Sequence, residues 1–185
     1  MEPRVLDAAR QLLVEQGFDA ATVQAIAERS GVHASAIYRR WPSRIEIIEQ
    51  AVFPGIPLVT VRPTGDLRRD LRRFISAYLS AFGAPAARAA MPGLLAAHQR
   101  AGRSGAAETW LAVSTRPFFV DILREAPSSS VDPTVDPDDV FDVLLGAILA
   151  RTFVPTVVHR NRPIDRLVDL MLRLLRPAGV AASQG

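Results

Sequence analysis

The sequence predicts an all-α protein made of two helical modules. Along most of its 185 residues, apolar side chains recur at the three- and four-residue spacing of a helix face. No stretch alternates apolar and polar residues between hairpin turns, as strands would. A break rich in proline and glycine at residues 54–65 separates an N-terminal module, residues 1–53, from a C-terminal module, residues 54–185.

Four short helices are predicted in the N-terminal module. Thr22 is a suitable N-cap for the second helix, and Gly31 a suitable end for it. Ser43 and Glu46 form a capping box at the start of the fourth helix. The four helices are expected at about residues 3–16, 23–29, 33–40 and 44–53.

Five further helices are predicted in the C-terminal module. Asp66 can cap the first, and Asp136 followed by Pro137 is a strong start for the fourth. Pro92 and Pro117 must kink or split the helices that contain them. The expected helices are residues 66–82, 86–100, 105–126, 136–154 and 164–175.

The composition excludes several classes of protein. Cysteine is absent, which excludes a disulfide scaffold, a zinc finger and a thiol nucleophile. No apolar run approaches the roughly 20 residues of a membrane-spanning helix, and the N-terminus lacks the apolar region of a signal peptide. We therefore expect a soluble cytoplasmic protein with no membrane partner.

Nothing in the sequence indicates catalysis. His33, His98 and His159 share no metal-ligand spacing with acidic residues. Neither a nucleotide-binding glycine loop nor a Gly-x-Ser-x-Gly elbow is present. The pair Asp138-Asp139 is explained by the positive end of a helix dipole. We expect no catalytic residue, no metal and no cofactor.

The distribution of charge favours nucleic-acid binding in one segment only, and not over the whole chain. All 22 basic residues are arginine, a bias that a GC-rich coding sequence also produces, and the net charge is only +3. Residues 29–45 contain four arginines and no acidic residue. A second acid-free stretch, residues 71–107, contains five arginines, so such a cluster is not rare in this chain and does not by itself identify a phosphate-binding surface.

Residues 22–41 are a candidate helix-turn-helix. Two short helices are joined by a tight turn at Gly31, and Ala27 is small enough to let them cross closely. Ile26, Val32 and Ile37 supply apolar contacts between the two helices. In this motif the second helix lies in the DNA major groove, with its N-terminal residues toward base edges. A plain helical hairpin with a solvated arginine face is the alternative.

Several polar side chains in and beside this motif are suited to DNA. Arginine and tyrosine side chains donate hydrogen bonds to phosphate oxygens. The free backbone N–H groups at the start of the helix after Ser43 form a phosphate-binding site. If DNA is the partner, Tyr38, Arg39 and Arg44 should be exposed on one face, away from a core of Leu13, Ile37 and Ile48. The predicted DNA-contacting residues are Thr22, His33, Ala34, Ser35, Ala36, Tyr38, Arg39, Arg40, Ser43 and Arg44.

The N-terminal module resembles the TetR family of transcriptional regulators. The matching segments are RVLDAA at 4–9, LVEQGFDAATV at 13–23, IA at 26–27, SGV at 30–32, AIYRRWPSR at 36–44 and Ile48. The match keeps its register over four helices and about 50 residues. His33 stands where the family usually has a small hydroxyl residue, and Arg44 where it usually has lysine; the arginine preserves phosphate binding.

The resemblance implies a homodimer that binds a palindromic operator in double-stranded DNA. In the family the last two long helices pack against their symmetry mates, which here would be residues 136–154 and 164–175. These residues could also be buried within one subunit. The expected interface residues are Val140, Val143, Leu144, Ala147, Ile148, Leu167, Leu170, Met171 and Leu174.

The resemblance also implies a site for a small apolar effector in the second module, and a repressor that the effector releases from DNA. His98 is the polar member of the candidate set, while each of the others, taken alone, is better explained as ordinary core. A helical interaction protein without DNA binding is the alternative function. The candidate effector residues are Phe82, Met91, Leu95, His98, Trp110, Phe118, Phe119 and Phe153.

Overall fold

A computed structural model describes residues 1–53, 61–101, 115–154 and 163–177 of the chain. These residues form nine helices and no strand, so the all-α prediction is confirmed. None of the described helices is both long and apolar enough to cross a membrane. The helices are α1 (Glu2–Gln16), α2 (Val23–Ser30), α3 (Ala34–Arg40), α4 (Arg44–Val52), α5 (Leu67–Gly83), α6 (Pro85–Ala101), α7 (Arg116–Glu125), α8 (Pro137–Phe153) and α9 (Ile164–Leu175).

Side-chain caps determine where several helices begin. The hydroxyl of Thr22 accepts a hydrogen bond from the backbone N–H of Ala25 at 3.1 Å and caps α2. Ser43 caps α4 by accepting from the N–H of Glu46 at 3.3 Å. Asp136 caps α8, with the N–H of Asp138 at 2.8 Å from its carboxylate. At the start of α5, the carboxylate of Asp66 accepts from the N–H of Arg69 at 3.0 Å. All four predicted caps are therefore confirmed.

The two prolines predicted to disrupt helices are accommodated in different ways. Pro92 lies inside α6, which is continuous from Pro85 to Ala101, so the helix is not split there. Pro117 lies in the first turn of α7, where its missing N–H is not needed for an intrahelical bond. Within the predicted helix at 105–126, α7 begins at Arg116, after the N-cap residue Thr115. Residues 105–114 lie outside the described part of the chain.

The described helices form two compact units. One unit contains α1 to α4 and α6; the other contains α5 up to Phe82, α7, α8 and α9. The order of the chain predicts α6 to belong to the C-terminal module, whereas in the structure α6 packs against α1 and α4. The units therefore do not simply follow the order of the chain, and the boundary at residues 53 and 54 stays a prediction.

The interior of the first unit is built from the apolar faces of its five helices. The contacts that attach α6 to the others include a polar and an aromatic one: Nε2 of His98 lies 2.6 Å from a carboxylate oxygen of Glu49 in α4, and Gly93 lies against the ring of Phe18. Fully buried are Val5, Ala9, Leu13, Ile26, Ile37, Ile47, Ile48, Ala87, Ala90 and Leu94.

The interior of the second unit contains a cluster of aromatic rings. The Phe74 ring lies 5.1 Å from that of Tyr78, 5.6 Å from that of Phe119 and 6.5 Å from that of Phe141, measured between centroids. Tilted ring pairs at these distances attract one another in addition to burying apolar area. Ion pairs on the surface, such as Arg68 to Asp169 at 2.7 Å, join α5 to α9.

Candidate nucleic-acid interface

The turn between α2 and α3 is fixed by glycine geometry and by hydrogen bonds. Gly31 has φ 65° and ψ 27°, a left-handed conformation that glycine adopts without the steric cost of a Cβ. A Cβ there would lie 2.9 Å from Nη2 of Arg4, which donates to the carbonyl of Ser30 at 2.5 Å. The N–H of Val32 donates to the carbonyl of Ala27 at 3.3 Å. These contacts determine the direction in which α3 leaves the turn.

The helix α3 has one buried and one exposed side. Ile37 is fully buried, whereas Ser35, Tyr38 and Arg39 are exposed, Tyr38 by 55%. Among the described residues, none accepts or donates a hydrogen bond with the side chain of Tyr38 or Arg39, and neither side chain is in an ion pair or ring contact. The exposed side of α3 therefore offers a hydroxyl and a guanidinium to an external partner.

The side chains of Arg40 and Trp41 turn back toward the protein. Nε of Arg40 lies 3.4 Å from the Glu2 carboxylate, and its guanidinium carbon lies 5.5 Å from the centroid of the Trp41 ring. Trp41 is 2% exposed and donates its indole N–H to Gln50 at 2.6 Å. The two aromatic residues of the arginine-rich segment thus differ, since Tyr38 is exposed and Trp41 belongs to the core.

Arg44 lies at the start of α4, where the turn between α1 and α2 holds it. It is half-buried, so the predicted exposure is wrong for Arg44, whereas it is confirmed for Tyr38 and Arg39. The guanidinium carbon of Arg44 is 4.5 Å from the centroid of the Phe18 ring, and Nη1 donates to the carbonyl of Asp19 at 3.3 Å. The Ser43 hydroxyl, next to it, donates to the Glu46 carboxylate at 3.0 Å. Sequence reasoning missed Phe18, although an aromatic residue in a turn, outside any helix face, indicates a packing role.

The N-terminal end of α3 carries the residues expected to face base edges. His33 occupies the N-cap position, makes no side-chain cap hydrogen bond and is exposed. Ala34 and Ala36 are half-buried, and Ser35 is exposed. The hydroxyl of Thr22 is already used as the cap of α2. The structure therefore leaves His33 and Ser35 as the polar side chains that this end of the helix presents to solvent.

The candidate effector residues belong to both units. Met91, Leu95 and His98 lie on α6 of the first unit, where His98 is already bound to Glu49 and Leu95 is 43% exposed. Phe82, Phe118, Phe119 and Phe153 lie in the second unit, and Trp110 lies outside the described residues. Within the second unit the rings of Phe82 and Phe153 are in contact, with centroids 6.1 Å apart.

The candidate dimer-interface residues fall into two groups, one exposed at the surface of the subunit and one buried in its interior. Val143, Leu170 and Leu174 are 52%, 47% and 43% exposed, and Ala147 is half-buried. The other five contribute to the interior of the second unit, because α8 and α9 turn those side chains toward its own core. Those five are Val140, Leu144, Ile148, Leu167 and Met171.

Two short helices joined by a tight turn, the second with an unpartnered polar face, define a helix-turn-helix DNA-binding protein. Comparison with known proteins identifies the family to which this helix-turn-helix protein belongs. The model of "Bacterial regulatory proteins, tetR family" matches residues 5–51, and that of "Tetracyclin repressor-like, C-terminal domain" matches residues 61–171. The chain belongs to the TetR family and is a DNA-binding transcriptional regulator.

Individual relatives resemble the chain over most of its length. The uncharacterized HTH-type transcriptional regulator Rv1556 of Mycobacterium tuberculosis is 29% identical over 174 residues, which cover 91% of this chain and 84% of the relative. The TetR family transcription regulator SCO0332 has a TM-score of 0.63 at 26% identity and covers 95% of this chain and 98% of its own. BioQ with its natural double-stranded DNA operator has a TM-score of 0.60 at 17% identity over 93% and 97% of the chains; this likeness concerns the fold.

Proposed function

We propose that the chain is a homodimeric repressor that binds a palindromic operator through α3 and is released by a small apolar effector. The observation that carries the proposal is the exposed side of α3, where Tyr38 and Arg39 have no partner among the described residues. In this proposal α1 to α4 bind DNA, whereas residues 54–185 bind the effector and dimerise. Because its partner is chromosomal DNA, the protein would act in the cytoplasm.

Base reading is assigned to the N-terminal end of α3. His33 and Ser35 can donate to or accept from base edges, while Ala34 and Ala36 are small enough for the helix to enter deeply and contact thymine methyl groups. The short side chains set the depth of entry. A large residue at Ala36 would hold the helix away from the bases.

Phosphate contacts are assigned to the residues that flank this end of the motif. Tyr38 and Arg39 are free to donate, and Arg44 is held at the N-terminus of α4, where backbone N–H groups also attract an anion. Arg40, paired with Glu2 at 3.4 Å, would have to exchange its partner to reach a phosphate. We therefore assign Arg39 and Arg44 larger roles than Arg40, with Thr22 and Ser43 as local supports.

Dimerisation is assigned to the exposed apolar residues of α8 and α9. Val143, Ala147, Leu170 and Leu174 keep apolar surface exposed in a unit whose other large apolar residues are mostly buried. Twofold packing of these helices would cover that surface. A twofold dimer also places two recognition helices against two half-sites, about 34 Å apart, which is why a palindrome is expected.

An apolar effector is supported by the aromatic interior of the second unit. Phe82 and Phe153 are in contact, and Phe118 and Phe153 are only half-buried, so their rings are available for an apolar ligand. The effector would favour the dimer conformation in which the recognition helices no longer match successive major grooves. Such coupling is typically about 1–3 kcal/mol, so a saturating effector should weaken operator binding by about 5–150-fold.

The substitution Ala36→Phe tests the placement of α3. An operator is first recovered with the wild-type protein by selection from random-sequence DNA. We expect Ala36→Phe to lose footprinting of that operator while its circular dichroism stays wild-type. Ala96→Phe, the same change at an exposed position of α6, is the matched control and should footprint normally. A folded Ala36→Phe protein with the same footprint would remove α3 from the groove. A wild-type protein that enriches no operator from random-sequence DNA would leave the interaction-protein alternative.

A further inference from the structure

Phe18 lies between Arg44, a proposed phosphate-binding residue, and the helix α6. It is in the turn that follows α1, half-buried, and two groups from distant parts of the first unit meet its ring. One is the guanidinium of Arg44, whose carbon is 4.5 Å from the ring centroid. The other is Gly93 of α6. The same ring therefore contacts a proposed phosphate-binding side chain and a helix outside the helix-turn-helix.

The contact with Phe18 restricts where the Arg44 guanidinium can lie. A cation within about 6 Å of a ring centroid is attracted by the electron-rich face of the ring. The hydrogen bond from Nη1 to the Asp19 carbonyl, at 3.3 Å, adds a second fixed point. An arginine has five N–H donors, and this is the single one that Arg44 uses among the described residues. The others remain available to a phosphate.

The position of the ring depends on a glycine in α6. A Cβ built on Gly93 would lie within 2.5 Å of three ring carbons of Phe18, so no larger residue fits without displacing the ring. Glycine in the middle of a helix is unfavourable relative to alanine, and Gly93 is well inside α6. The close approach of the Phe18 ring is a packing reason for glycine at this place.

We propose that Phe18 is a positioning residue for DNA binding: its ring holds the Arg44 guanidinium ready for a backbone phosphate, and Gly93 of α6 sets where the ring lies. The proposal rests on the proposed function, in which Arg44 contacts phosphate. It adds a residue outside the recognition helix and a specific dependence of that contact on α6. A long arginine side chain held in one place loses less conformational freedom when it binds.

The test measures binding to a short mixed-sequence DNA duplex over a series of NaCl concentrations. Arg44→Ala should weaken binding and flatten the plot of log K against log salt by about one phosphate contact. Phe18→Leu should weaken binding by about two- to fivefold, as expected for loss of a surface cation–π contact, and should change the slope in the same direction. Phe18→Tyr keeps the ring face and should bind as wild type.

The double variant separates positioning from a merely structural role. In a protein that already carries Arg44→Ala, Phe18→Leu should have no further effect on affinity or slope. A smaller folded fraction lowers the amount of active protein but does not change the salt slope. An equal loss with and without Arg44 would overturn the proposal while leaving Arg44 a phosphate contact. An Arg44→Ala protein with unchanged affinity and slope would overturn the assignment of Arg44 itself, and the proposal with it.

The role of Gly93 is tested by adding one methyl group. Gly93→Ala should displace the Phe18 ring and reproduce the effect of Phe18→Leu on affinity and salt slope. Gly83→Ala is the matched control, because a Cβ at Gly83 would meet nothing within 4 Å, and it should bind DNA as wild type. If Gly93→Ala binds DNA as wild type with an unchanged slope, α6 does not set the position of Phe18.

Discussion

Leu170, one of two exposed leucines of α9, provides a sharp test of the proposed dimer. Leu170 is 47% exposed in the single chain, so arginine at this position can extend into solvent without entering the interior of the second unit. In a twofold dimer the same substitution appears twice in one interface. Leu170→Arg should therefore separate the subunits while leaving each of them folded.

The expected loss of dimer stability can be calculated from the exposed fractions of the interface side chains. Full burial of a leucine or valine side chain contributes about 1.5–3 kcal/mol. Val143, Leu170 and Leu174 have 52%, 47% and 43% of their surface still to bury, or about 1 kcal/mol each. Two copies of all three give about 6 kcal/mol. Leu170→Arg removes about 2 kcal/mol of this and adds two unpaired charges, so the dimer dissociation constant should rise by more than about thirtyfold.

The assay is sedimentation velocity over a range of micromolar concentrations, with operator binding measured on the same samples. The wild type should sediment as a dimer of two 20.1 kDa chains, and Leu170→Arg as a monomer that has also lost the palindromic operator. Leu95→Arg replaces a leucine of similar exposure, 43%, on α6 and should remain dimeric.

A second variant distinguishes interface from core. Leu144 is 1% exposed within the chain, so Leu144→Arg places a charge in the interior of the unit and should lose the fold rather than only the dimer. A Leu170→Arg protein that dimerises as strongly as wild type would refute the assigned interface, as would a wild type that stays monomeric at these concentrations yet binds the palindrome tightly.

Three further predictions concern local features of the two units. Asp136→Ala removes the cap that accepts from the N–H of Asp138 at 2.8 Å and should lower the free energy of unfolding by about 1 kcal/mol in urea. Trp41→Phe removes the indole hydrogen bond to Gln50, 2.6 Å long, and should lower thermal stability by about 1 kcal/mol. Burial raises the pKa of the Tyr78 hydroxyl, so the unfolded chain loses this proton first. Stability measured in urea should fall as the pH rises above about 10.

Each of these predictions has a control. Asp136→Asn can still accept the capping hydrogen bond and should be close to wild type. Gln50→Ala removes the same hydrogen bond and also the one that Gln50 donates to Glu2, 2.8 Å long, so it should destabilise the protein at least as much as Trp41→Phe. The double variant should cost less than the two single losses added together. Tyr78→Phe should lack the part of the alkaline fall that Tyr78 causes. Unchanged stability of Asp136→Ala or Trp41→Phe, or an alkaline fall that Tyr78→Phe leaves intact, would contradict the corresponding contact.

The features that could be predicted from the sequence are those that depend on nearby residues. Thr22, Ser43 and Asp136 cap their helices through backbone groups two or three residues away, so residue type and spacing are sufficient to find them. The turn at Gly31 is equally local, because left-handed backbone favours glycine. The last helix, Ile164–Leu175, lies between two prolines, and these prolines predict its observed bounds.

The features that could not be predicted depend on contacts between distant residues. The placement of α6 with α1 and α4 involves Gly93 against Phe18 and His98 against Glu49, and no local pattern indicates these pairs. The sequence places a basic residue, Arg40, in the candidate DNA-binding segment, but it does not show that Arg40 pairs with Glu2, because the fold brings these two residues together. Helix periodicity finds the apolar positions of α8 and α9 without showing which ones the subunit buries itself.

Selection of binding sites from random-sequence DNA by the wild-type chain is the most direct test of the central claim. We expect enrichment of a palindrome whose two half-sites are about one helical turn apart, around 34 Å centre to centre, since one dimer carries two copies of α3. Footprints on the recovered site should show protection in two successive major grooves on one side of the duplex. Failure to enrich any sequence, or enrichment of a site without twofold symmetry, would contradict a dimeric regulator that reads DNA through α3.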